Sequence, residues 1–453
     1  MVSTDATAAE RELTLTPEQA LQLAIERHRA GELDDAETLY RVLLERWPDH
    51  ADVLNHMGVL QHQRGDHARA LALMQRAVEL APGVAGMWNN LGNVLLRLER
   101  LEPAEHAFRR SIALADSPEA QANLSRAFRR RKRWHESEAA CRHAIEIAPG
   151  FGDAWHNLSL VLLAQGRVPE GVQAASKALT LLPAHKRQRD SYARALVLLG
   201  ETEQAGAIYR EWLTEDPGNP YLAHHLAACG GGAAPERASD AYVELVFDDF
   251  AASFDAKLAR LNYAAPQLVA GALRAALPPP ARQFDVADLG CGTGLCGPLV
   301  QAWARRLCGC DLSGAMLAQA RQRGAYDALE KAELVQYLAA HAAGFDVLIS
   351  ADTLCYFGEL GGVAAAAQRA LRRGGLFVFT AEALNDGDAA GYRLRPNGRY
   401  AHAQAYLKAV LGAAGLQRRQ VTGVALRDEG GQAVGGWLVV ASRSGGSAPR
   451  DAT

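Results

Sequence analysis

The chain has 453 residues, too many for one average domain and suited to two or three. Hydrophobic residues make up 49% and charged residues 22%, which excludes a wholly disordered chain. The net charge of −3 excludes the strongly basic balance of a nucleic-acid binder, and no stretch approaches the ~18 consecutive apolar residues of a membrane span. The first 16 residues have no basic start followed by an apolar run, so they predict a disordered N-terminus and no secretory signal. Seven cysteines, an odd count without a CxxC, predict reduced thiols and a cytoplasmic protein.

Prolines recur at Pro48, Pro82, Pro149, Pro183 and Pro217, in steps of 34, 67, 34 and 34. On this period, segments begin near 17, 51, 85, 118, 152 and 186. One position holds Ala24, Gly58, Gly92, Ser125, Ser159 and Ala193; twelve residues later stand Ala36, Ala70, Ala104, Ser137, Gly171 and Ala205. Small side chains let two antiparallel helices approach where they cross. Four residues further on come Tyr40, Met74, Phe108, Cys141, Ala175 and Tyr209, most of them bulky enough to fill the gap to the next unit.

The units resemble tetratricopeptide repeats, the best reading Trp88-x-x-Leu91-Gly92 with Ala104-x-x-x-Phe108. Six repeats and a capping helix (Tyr221–Ala228) are predicted within 17–228, forming a solenoid whose groove takes a protein or peptide partner. Arg129–Arg133 is five consecutive bases at a turn and predicts a solvated loop, with an acidic partner as the alternative. His50, His56, His62 and His67 are spaced 6, 6 and 5 apart, which does not line one helix face, so no metal site is expected.

Residues 229–240 begin Cys-Gly-Gly-Gly and predict a flexible linker. From 241 to 443 short apolar runs alternate with helical stretches, the pattern of a parallel sheet covered on both faces; 444–453 is expected to be a disordered tail. The predicted strands include Phe284–Leu289, Arg306–Asp311, Phe345–Ala351 and Gly375–Thr380, with a terminal hairpin of Arg418–Ala425 and Gly436–Ser442. Helices over 241–264 carry Phe247, Phe250, Phe254 and Tyr263 and suit either a lid or plain packing.

The first strand runs into Gly290-Cys291-Gly292-Thr293-Gly294. Glycines at alternate positions let the backbone turn sharply and approach a ligand at the carboxyl end of the strand. A nicotinamide fingerprint wants its third glycine where Leu295 stands, and Asp288 would repel a pyrophosphate. Asp311 ends the second strand, where a carboxylate accepts both hydroxyls of a ribose.

The segments DLGCGTG, CDLSGAML, AEL and FDVLISADTLCYF resemble a class I S-adenosylmethionine-dependent methyltransferase. The chain as a whole resembles bacterial predicted methyltransferases with N-terminal tetratricopeptide repeats. The resemblance implies an all-α repeat solenoid followed by a Rossmann-like domain with a seven-stranded, mostly parallel sheet. It also implies that S-adenosyl-L-methionine is the methyl donor. Gly290, Gly292 and Gly294, with Cys291 as a small filler, would shape the loop around the methionine part, with Asp288 near its ammonium group. Asp311 would take the ribose, Leu312 and Met316 would flank the adenine, and Glu333 or Leu334 would meet its exocyclic amine. Ala351 and Asp352 would face the sulfonium and the incoming acceptor. Asp352, Tyr356, Glu382, Tyr400 and His402 are the candidate bases or positioning groups, none selected by the sequence. A non-catalytic repeat adaptor with a vestigial cofactor domain is the alternative.

Overall fold

The computed structural model describes residues 16–384, 391–429 and 432–444. Residues 1–15 and 445–453, which hold most of the two segments expected to be disordered, lie outside the described residues. Two compact units divide the chain at Ala195/Leu196. Among the described residues no helix is long and apolar enough to cross a membrane.

Among the described residues ten helices form five antiparallel pairs on the predicted period, and two further helices continue it. They are α1 (Pro17–Arg29) with α2 (Leu33–Arg46), α3 (Ala51–Gln63) with α4 (His67–Leu80), and α5 (Ala85–Arg97) with α6 (Leu101–Leu114). Then follow α7 (Pro118–Arg130) with α8 (Trp134–Ile147) and α9 (Gly152–Ala164) with α10 (Val168–Leu181), and after them α11 (Lys186–Leu199) and α12 (Thr202–Glu215). Helix α13 (Pro220–Ala228) follows them. Proline at the first turn fits α1, α7 and α13, where its missing N–H costs nothing. Thr16 and Gln19 close a capping box on α1, and Ser117 caps α7.

The small residues act within each unit. A Cβ on Gly92 would fall 2.4 Å from the ring of Phe108, and one on Gly58 would fall 2.7 Å from Cγ of Met74. The bulky residue four places after the second small position thus lies over the first helix of its own unit. At the serine pair, Ser137 Oγ donates to the Ser125 carbonyl at 2.7 Å.

The basic run is not the solvated loop its composition predicts. Arg131 and Arg133 both reach Glu105 Oε2, at 2.5 and 2.7 Å, and Arg130 pairs with Glu99. Glu105 is only 7% exposed, so these pairs tie neighbouring units together. Arg129 has its Nε buried and unpartnered among the described residues.

Among the described residues the second unit is built on nine strands: β1 (Phe284–Leu289), β2 (Ala304–Asp311), β3 (Ala328–Lys331), β4 (Phe345–Ser350), β5 (Leu371–Leu384), β6 (Tyr392–Leu394), β7 (Tyr400–Ala403), β8 (Leu416–Glu429) and β9 (Gln432–Arg443). The order is β3-β2-β1-β4-β5-β7-β6, with β9 pairing antiparallel to β5 and β8 antiparallel to β9. The seven strands expected become nine because β6 and β7 add a short antiparallel pair, which the polar stretch Arg395–Arg399 concealed. The pairings among β1–β5 are parallel. Successive β1 residues pack into opposite cores, Val286 on one face and Ala287 and Leu289 on the other, as expected of a sheet covered on both sides.

The segment 229–240 is not a free tether. Ala238 N–H donates to the Tyr356 carbonyl at 2.8 Å, and the N–H groups of Gly358 and Glu359 donate to the Glu236 carbonyl at 2.8 and 2.9 Å. This strap leads into α14 (Asp240–Phe250) and α15 (Phe254–Arg260).

Candidate functional site

A cavity of about 220 Å³ opens at the carboxyl ends of β1, β2 and β4. Parallel pairing of β1 with both neighbours places Leu289, Asp311 and Ser350 at one edge of the sheet, and the loops that follow them line the cavity. This is the crevice an open α/β sheet presents to ligands.

The glycine loop supplies the cavity floor. Gly290, Gly292 and Gly294 have φ of +67°, +54° and +84°, values that side-chain-bearing residues rarely adopt. Gly290 and Gly292 line the cavity. Gly294 does not; it sits where a Cβ would fall 2.9 Å from the Tyr326 ring, so it closes the turn. Cys291 borders the cavity, with burial pushing its thiol well above its ordinary range. A Cβ on Gly309 would fall 2.9 Å from its sulfur, so the thiol tucks against β2.

Five carboxylates line the cavity, Asp288, Asp311, Glu333, Asp352 and Glu429. Asp288, at the end of β1, is 1% exposed and accepts from the Tyr326 hydroxyl at 2.6 Å; burial lifts its pKa to about 7. Asp311 accepts from the N–H of Gly292 at 2.8 Å and of Ser313 at 2.9 Å. Burial raises its pKa and these backbone donors oppose the rise. Glu333 caps α19 (Leu334–Ala340) through the Gln336 N–H at 2.9 Å; its other oxygen, Oε1, is buried and unpartnered among the described residues. Asp352 follows β4 with φ of +59°. Its Oδ2 accepts from Arg427 at 2.6 Å, while Oδ1 is buried and unpartnered among the described residues. Burial, opposed by Arg427, raises the Asp352 pKa to about 6.

Leu312, Leu334 and Ala351 also line the cavity. Met316 does not: it is fully buried in α18 (Gly314–Gln322), a core residue and not a wall. Of the five candidate bases only Asp352 and Tyr356 reach the cavity. His402 is a structural histidine. It lies fully buried in β7, hydrogen-bonded at 3.1 Å to the Gly358 carbonyl, and burial lowers its pKa to about 4. Its polar neighbours suggested an exposed loop, but strand pairing with β5 carries it inside. Tyr400 is likewise buried and donates to the Pro235 carbonyl at 2.6 Å. Glu382, fully buried, pairs with Arg399 at 2.6 Å and with Arg427.

Several site residues escaped the sequence reading. Arg399, Arg427 and Glu429 line the far end of the cavity. Arg427 is 4% exposed and binds Asp352, Glu382 and Glu429 together. On another wall, Val243, Phe247, Phe254 and Leu258 come from α14 and α15. Three polar straps hold these helices down. Asp248 accepts from Ser313, Asp255 accepts from Thr293 Oγ1 at 2.6 Å and pairs with Arg323, and Glu244 pairs with Lys331. These helices are packed against the domain and form one wall of the cavity.

A family model described as a methyltransferase domain matches residues 287–379, and one described as a tetratricopeptide repeat matches 21–85, 89–150 and 156–220. Methyltransferase-like protein 27 of Homo sapiens is 37% identical over 91 residues, 20% of this chain and 37% of that one. Biotin biosynthesis bifunctional protein BioHC of Saccharophagus degradans is 33% identical over 108 residues, 22% of this chain and 19% of that one. Tetratricopeptide repeat-containing protein trd-1 of Caenorhabditis elegans is 28% identical over 185 residues, 40% of this chain and 23% of that one. The chain thus spans less than a quarter of the length of trd-1. It carries a methyltransferase domain behind an array of tetratricopeptide repeats.

Proposed function

We propose that this protein transfers a methyl group from S-adenosyl-L-methionine, and that its repeats hold a protein or peptide partner. The observation that carries the cofactor assignment is four of the five carboxylates lining one cavity, Asp288, Asp311, Glu333 and Asp352, two of them with a buried oxygen unpartnered among the described residues; the fifth, Glu429, is paired with Arg399 and Arg427. Such a wall is rich in acceptors. It fits a ligand rich in donors and positive charge: an ammonium, two sugar hydroxyls, an aromatic amine and a sulfonium. A pyrophosphate cofactor fits it poorly.

When bound, the sulfonium supplies an activated methyl and an excellent leaving group. The protein's task is then alignment. Asp311, fixed by two backbone N–H groups, keeps further lone pairs for the ribose hydroxyls. Glu333 Oε1 is left to accept from an adenine amine, with Leu312 and Leu334 beside it as apolar walls. Gly290 and Gly292 let the backbone come close to the methionine part. Phe247 and Phe254 cover the cavity and keep water from the transferring group.

Asp352 is the residue best suited to the acceptor. Arg427 fixes one of its oxygens and leaves the other to accept a proton or hydrogen bond from the incoming nucleophile. A carboxyl held at about 6 is ionised at neutral pH and still basic enough to act. This favours an acceptor that brings an N–H or O–H.

Isothermal titration with S-adenosylmethionine tests the reading. Micromolar binding that Asp311→Ala abolishes is expected. No binding, or binding indifferent to that change, would remove the catalytic claim and favour the adaptor.

A further inference from the structure

Aromatic rings run in an unbroken line along one wall of the cavity. Phe254 lies over the glycine loop, its Cε1 4.0 Å from where a Cβ on Gly292 would stand. Phe247 meets Phe254 edge to face at 5.9 Å between ring centres, and Tyr356 meets Phe247 edge to face at 5.4 Å. All three line the cavity, as does Asp352, four residues before Tyr356. The rings thus lead from the loop assigned to the donor's methionine part to the carboxylate assigned to the acceptor. Elsewhere in this unit the chain's own cations cover ring faces: Arg237 lies over Phe357, and Lys257 over Phe250 at 3.7 Å. Among the described residues no Lys or Arg stands over Phe247, Phe254 or Tyr356.

The polar atoms at the acceptor end do not suit an anion. Arg427 is spent on three carboxylates, Nη1 on Asp352, Nη2 on Glu382 and Nε on Glu429. Arg399 gives Nε to Glu382 at 2.6 Å and Nη2 to both oxygens of Glu429, at 2.7 and 2.6 Å. What remains is Asp352 Oδ1, buried and unpartnered among the described residues, and the hydroxyls of Tyr263 and Tyr356. Burial raises the pKa of both hydroxyls, and the Asp352 charge adds to the rise. The loop that bears Tyr263 is pinned beside Arg427, since the Ala264 N–H donates to the Leu426 carbonyl at 2.9 Å. A carboxylate or phosphate brought here would face Asp352. A cation would find ring faces and a carboxylate together, the pairing that holds ammonium groups.

We infer that this end of the cavity takes an amine, and that the methyl group is transferred to its nitrogen. The inference rests on the methyl-transfer reading and supplies the chemical class of the acceptor. Desolvation favours the neutral amine over its ammonium form. The proton it sheds goes to Asp352 Oδ1 and from there to water. The nitrogen lone pair then forms the N–C bond as the C–S bond breaks, and the bonding pair stays on sulfur. The products are S-adenosylhomocysteine and a methylammonium, so the positive charge passes from sulfur to nitrogen along the ring faces. Transfer to a carboxylate or phenolate oxygen would leave no cation for the rings to hold.

The test uses the full chain saturated with S-adenosylhomocysteine, which lacks the charge on sulfur. Three probes of one shape are titrated by ligand-observed NMR: the cation choline, its neutral isostere neohexanol and the anion tert-butylacetate. Choline is expected to bind about tenfold tighter than neohexanol, and tert-butylacetate weakest. Phe247→Leu keeps the apolar bulk and removes the ring face, and should cut that preference to about twofold. Asp352→Asn should weaken choline about tenfold and leave neohexanol little changed. Circular dichroism melts and S-adenosylhomocysteine titration check that both variants fold. A short peptide bearing trimethyllysine is a fourth probe: tighter binding than choline assigns the amine to a polypeptide side chain, weaker binding to a free small amine. Neohexanol or tert-butylacetate binding as tightly as choline overturns the inference and leaves the donor reading intact. Binding of none of the probes, or a choline preference unchanged in both variants, overturns it in the same way. Failure of S-adenosylhomocysteine to bind removes the donor reading itself, and this inference with it.

Discussion

Thr353 Oγ1 donates to the carbonyl oxygen of Gly290 at 3.1 Å, so the loop after β4 lies directly against the loop after β1. The approach is so close that a Cβ at position 290 would fall 2.3 Å from Thr353 Cγ2. Gly290 also has φ of +67°. Gly290→Ala therefore meets two costs together, a left-handed backbone and a steric overlap. A loss of about 2–4 kcal/mol is expected in urea unfolding, with donor binding weakened at least tenfold. Thr353→Ala in the same chain should recover part of the stability by removing Cγ2 and Oγ1. If Gly290→Ala alone is neutral, the two loops are not in contact as described.

Asp288 makes a prediction about pH. Burial lifts its carboxyl from 3.8 to about 7 in the folded chain. The folded value lies above the unfolded one, so the native state holds this proton more tightly. The resulting stabilisation is complete below about pH 4 and is lost as pH rises through about 7. Asp288→Asn removes this dependence, and its amide oxygen still accepts from Tyr326. At about 1.4 kcal/mol per pKa unit, the wild type should lose up to a few kcal/mol relative to the variant between pH 4 and pH 7. Urea unfolding of both proteins across that range measures it. A difference that stays flat with pH would show that Asp288 titrates normally.

Arg427 is 4% exposed and pairs with Asp352, Glu382 and Glu429. Removing the guanidinium leaves Glu382, which is fully buried, with Arg399 as its remaining near partner. Arg427→Met should cost about 3–5 kcal/mol, the usual penalty for stranding a buried charge. Arg427→Met with Glu382→Gln should cost less than the single change. Melting temperatures of the two variants decide this, and a double variant no more stable than the single one contradicts it.

The repeat array was legible because one packing demand recurs. Wherever Gly58 or Gly92 sits under Met74 or Phe108, the same small-to-large spacing is written into the chain every 34 residues or so. The glycine loop and Asp311 were legible because a sharp turn at a strand end needs glycine at fixed positions. Arg427 was not, since two of its three partners, Asp352 and Glu382, lie 75 and 45 residues away and no local pattern announces them. The straps from Asp248 and Asp255 to Ser313 and Thr293 span 65 and 38 residues and were hidden for the same reason. His402 was misplaced because Asn397-Gly-Arg reads as surface, whereas the short strand after it is buried against β5.

Asp352 supplies the sharpest test of the chemistry. Its φ of +59° suits asparagine better than any other near-isosteric replacement, since asparagine visits the left-handed region readily. Asp352→Asn should therefore fold, keep its hydrogen bond from Arg427 through the amide oxygen, and bind the donor with little change. What it loses is a group able to take a proton from the acceptor. With an acceptor in hand, kcat should fall by about a hundredfold or more. In the wild type the rate should decline as pH drops through about 6, where burial places this carboxyl, because the protonated acid is no longer a base. The residual rate of the variant should lack that acidic limb. A variant that keeps both the rate and the limb would show that the acceptor's proton leaves by another route, and that Asp352 serves only to anchor Arg427.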